Sequence, residues 1–143
     1  MTHATWMASV VFDGARSIKR LAPDLNLHCA RVVRSAEIMG PIPPITADEI
    51  ERLAWAGIDR FGDAAELYIR PLMYSEEGFV VAVPESTRFI LSVFEAPLPA
   101  GKGLRVCLSS FRRPSPDMAA TDAKTACLYP NVARAARSPR QKL

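Results

Sequence analysis

The stretch "ITADEIERLAWAGIDRFGDAAELYIRPLMY", residues 45–74, changes its hydrophobic period part-way along. Ile50, Leu53, Ala54, Gly57, Ile58 and Phe61 return at the spacing of a helix with one buried face. The start of that helix is marked. Thr46 and Glu49 stand at capping-box spacing, so each side chain can satisfy a backbone N–H that the first turn leaves unpaired. Ile45 and Ile50 sit where a hydrophobic staple forms, and Gly62 is read as the stop. Beyond it, "ELYIRPLMY" (66–74) is apolar and aromatic and is read as a strand.

Working outward, "LHCARVVRSAEIMG" (27–40) predicts a second helix, with Leu27, Ala30, Val33 and Ala36 on its inner face and Gly40 as its stop. "PIPP" (41–44) separates the two helices, because proline cannot continue either. Upstream, "SVVFDGARSI" (9–18) predicts strand, tight bend at Asp13-Gly14, strand, and "LAPDLNL" (21–27) a turn at Pro23-Asp24. Downstream, "FVVAV" (79–83), "RFILSVFE" (88–95) and "LRVCLSSF" (104–111) predict three more strands. "PLPAGKG" (97–103) is a turn-rich link and residues 112–123 an irregular loop. Pro130 suits the first turn of a last helix. Short strands around two consecutive helices predict the α+β class rather than a doubly wound sheet.

The 143 residues fit one domain with a real core. The net charge is +3, but Arg134, Arg137, Arg140 and Lys142 lie in the last thirteen residues. Without them 14 basic residues face 15 acidic ones, so the basic excess is a tail and not a nucleic-acid groove. Cys29, Cys107 and Cys127 form no Cys-x-x-Cys pair, which fits a reducing cytoplasm better than a disulfide framework. "FVVAV" is too short to span a bilayer, so no membrane partner is expected. His3 and His28 have no partner at metal-ligand spacing, and no metal is expected. Phosphate-loop, dinucleotide and nucleophile-elbow motifs are absent.

One residue stands apart. In "DAKTACLYPN" (122–131) Lys124 is the only cation, set among small and apolar residues, with Tyr129 five positions on. A solvated lysine is one reading. The other is an amine in a partly apolar site, available to form an imine with an aldehyde cofactor.

"VVFDGAR" (10–16), "LHCARVVRSAEIMG", "ELYIRPLMY" and "SSFRRPSPDMAATDAKTACLYPN" (109–131), in that order, resemble the class IV pyridoxal-phosphate aminotransferases, the branched-chain amino acid group. The resemblance implies the small N-terminal domain of fold-type IV, the D-amino acid aminotransferase-like enzymes. That domain is a mostly antiparallel sheet with two packed helices, here followed by the start of the second domain. It implies pyridoxal 5′-phosphate as cofactor, with Lys124 forming the imine and shuttling the proton, Arg31 pairing with the phosphate and Tyr129 bonding the ring oxygen. It puts Phe12, Tyr68 and Arg70 on the substrate side, Arg70 facing a carboxylate of glutamate or 2-oxoglutarate and Gly14 at the bend. The implied reaction is transamination between a branched-chain or related amino acid and a 2-oxo acid, by a cytoplasmic homodimer.

Two departures bear on substrate. Met7 stands where the family often has tyrosine, and Cys127-Leu128-Tyr129 where many members have Gly-Asn-Tyr. The expected organisation is a small domain over 1–111, an interdomain loop and cofactor-lysine strand over 112–130, and a truncated helix with basic tail over 131–143. On that reading the chain lacks the acidic partner of the pyridine nitrogen and is inactive alone. An aminodeoxychorismate lyase of the same class and a non-catalytic remnant are the alternative functions.

Overall fold

The structure is a computed structural model that describes residues 1–99, 101, 103 and 112–128. The elements run α1 (His3–Met7), β1 (Val10–Phe12), β2 (Ala15–Ile18), α2 (Leu25–Met39), α3 (Ala47–Ile58), β3 (Glu66–Ser75) and β4 (Thr87–Glu95). Short 3-10 turns lie at Pro84–Ser86 and Ala126–Leu128. The class is α+β, and every strand pair is antiparallel.

β3 is the central strand. β4 pairs with it along one side, from Ser75↔Thr87 to Leu67↔Glu95. β1 and β2 share its other side, with Val10 opposite Tyr74, Phe12 opposite Leu72, Ala15 opposite Ile69 and Ile18 opposite Glu66. These pairs keep one register throughout, so the expected tight bend at Asp13-Gly14 is absent. The gap between β1 and β2 comes from the partner strand. Asp13 N–H donates to the Pro71 carbonyl at 3.0 Å, but proline has no N–H to return the bond.

Strand alternation then sorts the side chains. Leu67, Ile69 and Met73 of β3 are buried, as are Val11 and Ala15. They meet Leu25, Cys29, Val32 and Ala36 of α2 and Ile50, Ala54 and Ile58 of α3 in one core. Each aliphatic side chain buried there contributes roughly 1.5–3 kcal/mol before chain entropy is counted. Phe12, Arg16, Tyr68 and Arg70 take the alternate positions, on the face away from the helices.

The capping box of α3 forms as expected: Glu49 N–H donates to Thr46 Oγ1 at 3.3 Å, and Thr46 N–H to Glu49 Oε2 at 3.2 Å. The helix stops at Ile58 with Asp59 as its cap, short of Gly62. α2 ends at Gly40, whose φ of 100° is the left-handed conformation. Its inner face differs from expectation. The helix starts at Leu25, and the buried line is Leu25, Cys29, Val32 and Ala36; Leu27 and Ala30 are exposed. A strict three-residue repeat drifts off a 3.6-residue period, and only Ala36 belongs to both lines.

The expected strand at 79–83 does not form. Gly78, at φ 127°, turns the chain so that Gly78 and Ala82 bridge, and Val83 N–H donates to Glu77 O at 2.9 Å. A Cβ on Gly78 would lie 2.3 Å from Val81 O. Both sides of β3, the central strand, are already paired. Phe79, Val80 and Val81 are exposed, with Phe79 stacked on Trp6. Residues 112–123 form the expected irregular loop. The expected strand 104–111, Cys107, Tyr129 and the last helix lie outside the described residues. No helix among the described residues is long and apolar enough to cross a membrane.

Candidate active site

Lys124 arrives at the free edge of β1. Phe12 N–H donates to its carbonyl at 3.1 Å, Val11 bridges Thr125, and Lys124 N–H donates to Ser35 Oγ of α2 at 3.0 Å. Three backbone ties thus hold a residue with no regular strand of its own. The side chain is 38% exposed. Its Nζ lies 3.8 Å from Asp13 Oδ1 and 5.3 Å from the centre of the Phe12 ring.

Asp13 is fully buried, on the helix side of the sheet. Arg31 reaches it with two parallel bonds, Nε to Oδ2 at 2.5 Å and Nη2 to Oδ1 at 2.8 Å, the fork geometry that suits a carboxylate. Gly14 N–H donates to Oδ1 at 2.7 Å. His28 Nδ1 lies 2.9 Å from Oδ1 and 3.1 Å from Arg31 Nη2. His28 and Arg31 sit three residues apart on α2, so both face the same carboxylate. Burial alone raises the Asp13 carboxyl. The bonds from Arg31, His28 and Gly14 and the charge of Lys124 outweigh it, and the net effect holds Asp13 below the ordinary carboxylate value. The same bond pushes the Arg31 guanidinium up. Burial, with Glu51 and Asp13 adding negative charge, pushes the Cys29 thiol up to about 11, so that thiol is an inert core group.

On the open face, Phe12 is the shared surface. The Arg70 guanidinium lies 5.0 Å from its ring centre, close to the distance of Lys124 Nζ. Arg70 is exposed. The Tyr68 ring packs on Phe94 at 5.6 Å and under the Arg16 guanidinium at 5.7 Å. Arg16 also donates to Ala96 O at 2.7 Å. Gly14 is required by space, not by a turn: a Cβ there would sit 2.1 Å from Tyr68 Oη.

Four expected site residues therefore converge in two groups joined at the β1 edge, Lys124 with Arg31 through Asp13, and Lys124 with Arg70 through Phe12. Tyr68 stands further along the same open face, over Gly14. Asp13, His28 and Ser35 are the members that sequence reading missed. Among the described residues, no group of His, Cys, Asp and Glu is placed to hold a metal.

Residues 10–142 match the family described as Amino-transferase class IV. The chain belongs to the class IV aminotransferases. Among curated relatives of this class IV chain is a probable branched-chain-amino-acid aminotransferase of Rickettsia typhi, 29% identical over 90% of this chain and 46% of its own. Among solved structures, an aminotransferase from Brucella abortus bound to the cofactor PLP is 42% identical, with a TM-score of 0.88 over 93% of this chain and 49% of that one. A branched-chain aminotransferase from Thermoproteus uzoniensis with norvaline is 25% identical, with a TM-score of 0.77 over 94% and 48%. The class IV chain thus spans about half the length of the relatives it matches. The fold-type IV architecture expected from the resemblance is the one found, and pyridoxal 5′-phosphate is the cofactor of the family.

Proposed function

We propose that the protein carrying these residues transfers an amino group between a branched-chain or related amino acid and 2-oxoglutarate, with pyridoxal 5′-phosphate bonded to Lys124. The observation that carries this reading is one carboxylate oxygen, Asp13 Oδ1, in reach of both Lys124 Nζ and Arg31 Nη2. The donor set fits the cofactor. A primary amine meets an aldehyde, and a guanidinium meets a phosphate. Arg31 has given only its Nε–Nη2 edge to Asp13 and its side chain is half-exposed, so its outer edge is open to an anion.

The cofactor supplies the electron sink; the chain's own residues position and exclude. Arg31 holds the phosphate, Phe12 walls the substrate pocket, and Tyr129 bonds the ring oxygen. Lys124 takes and returns the substrate proton. The branched-chain assignment rests on what the relatives are named. The same reading takes residues 1–111 as the small domain, 112–130 as the interdomain segment bearing the lysine and 131–143 as the start of the second domain. It takes the working form as a cytoplasmic homodimer.

The test is trapping. Pyridoxal 5′-phosphate is added, the pH is held near neutral, and sodium borohydride is used to fix any imine. A pyridoxyl group on Lys124 in the peptide map is the expected result. A label spread over other lysines, with Lys124 bare, removes the assignment.

Arg70 gives a second expected result. Arg70→Ala should slow reaction with 2-oxoglutarate more than with short apolar 2-oxo acids. Losing a charge-assisted bond to a carboxylate from an exposed arginine costs about 1.5 kcal/mol, roughly tenfold in kcat/KM. The two substrates are compared in the same variant, and equal losses would make Arg70 a structural residue.

A further inference from the structure

We infer that Asp13 is the positioning residue of this site, a buried carboxylate that fixes the amine of Lys124 and the open edge of Arg31 relative to each other. The inference rests on the cofactor reading above and goes beyond it. Asp13 itself touches neither cofactor nor substrate in that scheme. It is fully buried, while the side chains of Lys124 and Arg31 beside it are partly exposed. What it touches are the two groups that hold the cofactor at its aldehyde and its phosphate.

The geometry carries this in three steps. First, Asp13 cannot wander. Its own backbone is pinned to Pro71, and its carboxylate is gripped by Gly14 N–H and by His28 as well as by Arg31. Second, Arg31 is a long side chain that would otherwise sample many rotamers. Two bonds to one carboxylate fix the plane of its guanidinium and so the direction of its free edge. Third, Lys124 is tied through its backbone to Phe12, the residue before Asp13, and through its charge to Asp13 Oδ1. One oxygen is therefore the common origin for an amine at 3.8 Å and a guanidinium nitrogen at 2.8 Å. A reacting group misplaced by about 1 Å can lose a hundredfold in rate, so a shared reference point has a large lever. The charged groups that face Lys124 are Asp13 on the β1–β2 link, His28 and Arg31 on α2 behind it, and Arg70 across the Phe12 ring.

The experiment reads Lys124 and Arg31 separately, without turnover. In the full chain, trapping at Lys124 by borohydride is compared for pyridoxal and pyridoxal 5′-phosphate, and the Lys124 share of the label is read by mass spectrometry. Asp13→Asn is expected to spread the label from Lys124 to other lysines, as the amine loses the carboxylate 3.8 Å away. It should also cut the preference for the phosphate-bearing aldehyde at least roughly tenfold, as a loosened arginine loses its geometry. Asp13→Glu, which keeps the charge, should restore both in part. Because Asp13→Asn changes a buried group, a second variant reads the same coupling from the other end. Lys124→Met leaves the carboxylate and its arginine in place and should raise the Asp13 titration midpoint, followed by its carboxyl carbon-13 shift.

Failure of the native chain to trap the phosphate-bearing aldehyde at Lys124 overturns the cofactor reading and this inference together. Native trapping with an unmoved Lys124 share of the label and unmoved phosphate preference in a folded Asp13→Asn chain overturns the inference alone. So does an unmoved Asp13 midpoint in Lys124→Met.

Discussion

Lys124→Ala is expected to abolish transamination in active protein that contains these residues, and Lys124→Arg to do the same although it keeps the charge. The pair separates two roles that one lysine can have. As a counter-charge for Asp13, 3.8 Å away, an arginine could substitute in part. As a nucleophile toward an aldehyde it cannot, because a guanidinium stays protonated and its electron pairs are delocalised. The same amine is the group expected to move the substrate proton. Loss of a positioned acid–base group alone costs roughly 10²–10⁴-fold, and loss of covalent attachment adds to it. Single-turnover assays with excess cofactor check the result. Activity in Lys124→Arg within about tenfold of the native rate would remove the central assignment.

Arg31→Ala is expected to destabilise the fold and to flatten its acid sensitivity. The variant leaves a fully buried carboxylate with His28 and a backbone N–H but without its main partner. Breaking a fully buried ion pair costs about 3–5 kcal/mol. Here Arg31 is half-exposed, so the range for losing hydrogen bonds to a charged group, about 1.5–3 kcal/mol, is the better guide. The pH dependence follows from the direction of the Asp13 shift. A carboxyl held low in the folded state stabilises fully above its unfolded value, near 3.9, and that stability drains away as pH falls through the lower folded value. The gap between native and variant should therefore be widest at neutral pH and shrink below about pH 4. Denaturant melts at pH 7 and pH 3 measure it. A gap that stays constant would assign the loss to packing of the arginine stem.

What could be read in advance was what the chain encodes locally. The capping box of α3 is four residues long and needs nothing from elsewhere, and it stands as expected. The alternation of "ELYIRPLMY" is equally local, and the strand follows it. The inner face of α2 was misread because it depends on where the helix begins, and Leu25 precedes the first residue assigned to it. "FVVAV" has strand composition, but Gly78 turns the chain back so that it bridges Ala82, and no strand forms there. Asp13-Gly14 looked like a turn. In the structure the pair lies inside a continuous register, and its small residue makes room for a tyrosine from the neighbouring strand. Lys124 stands out in its own segment as a lone cation among small and apolar residues, but its role, like that of Arg31, comes from resemblance to a family. Asp13 and His28 were missed because their meaning lies in each other. A histidine and an aspartate fifteen positions apart give no local signal until a helix is laid on a sheet.

The bond from Lys124 N–H to Ser35 Oγ joins residues 89 positions apart, and it sets an order of events in time. The four strands and helices α1, α2 and α3 lie within the first 95 residues, and their contacts close shorter loops. A longer loop costs more entropy to close, and non-local contacts form late for that reason. On that ordering the network of Asp13, His28 and Arg31 forms with the scaffold, and Lys124 docks onto it afterwards. The buried carboxylate and its guanidinium are thus in place before the amine reaches them.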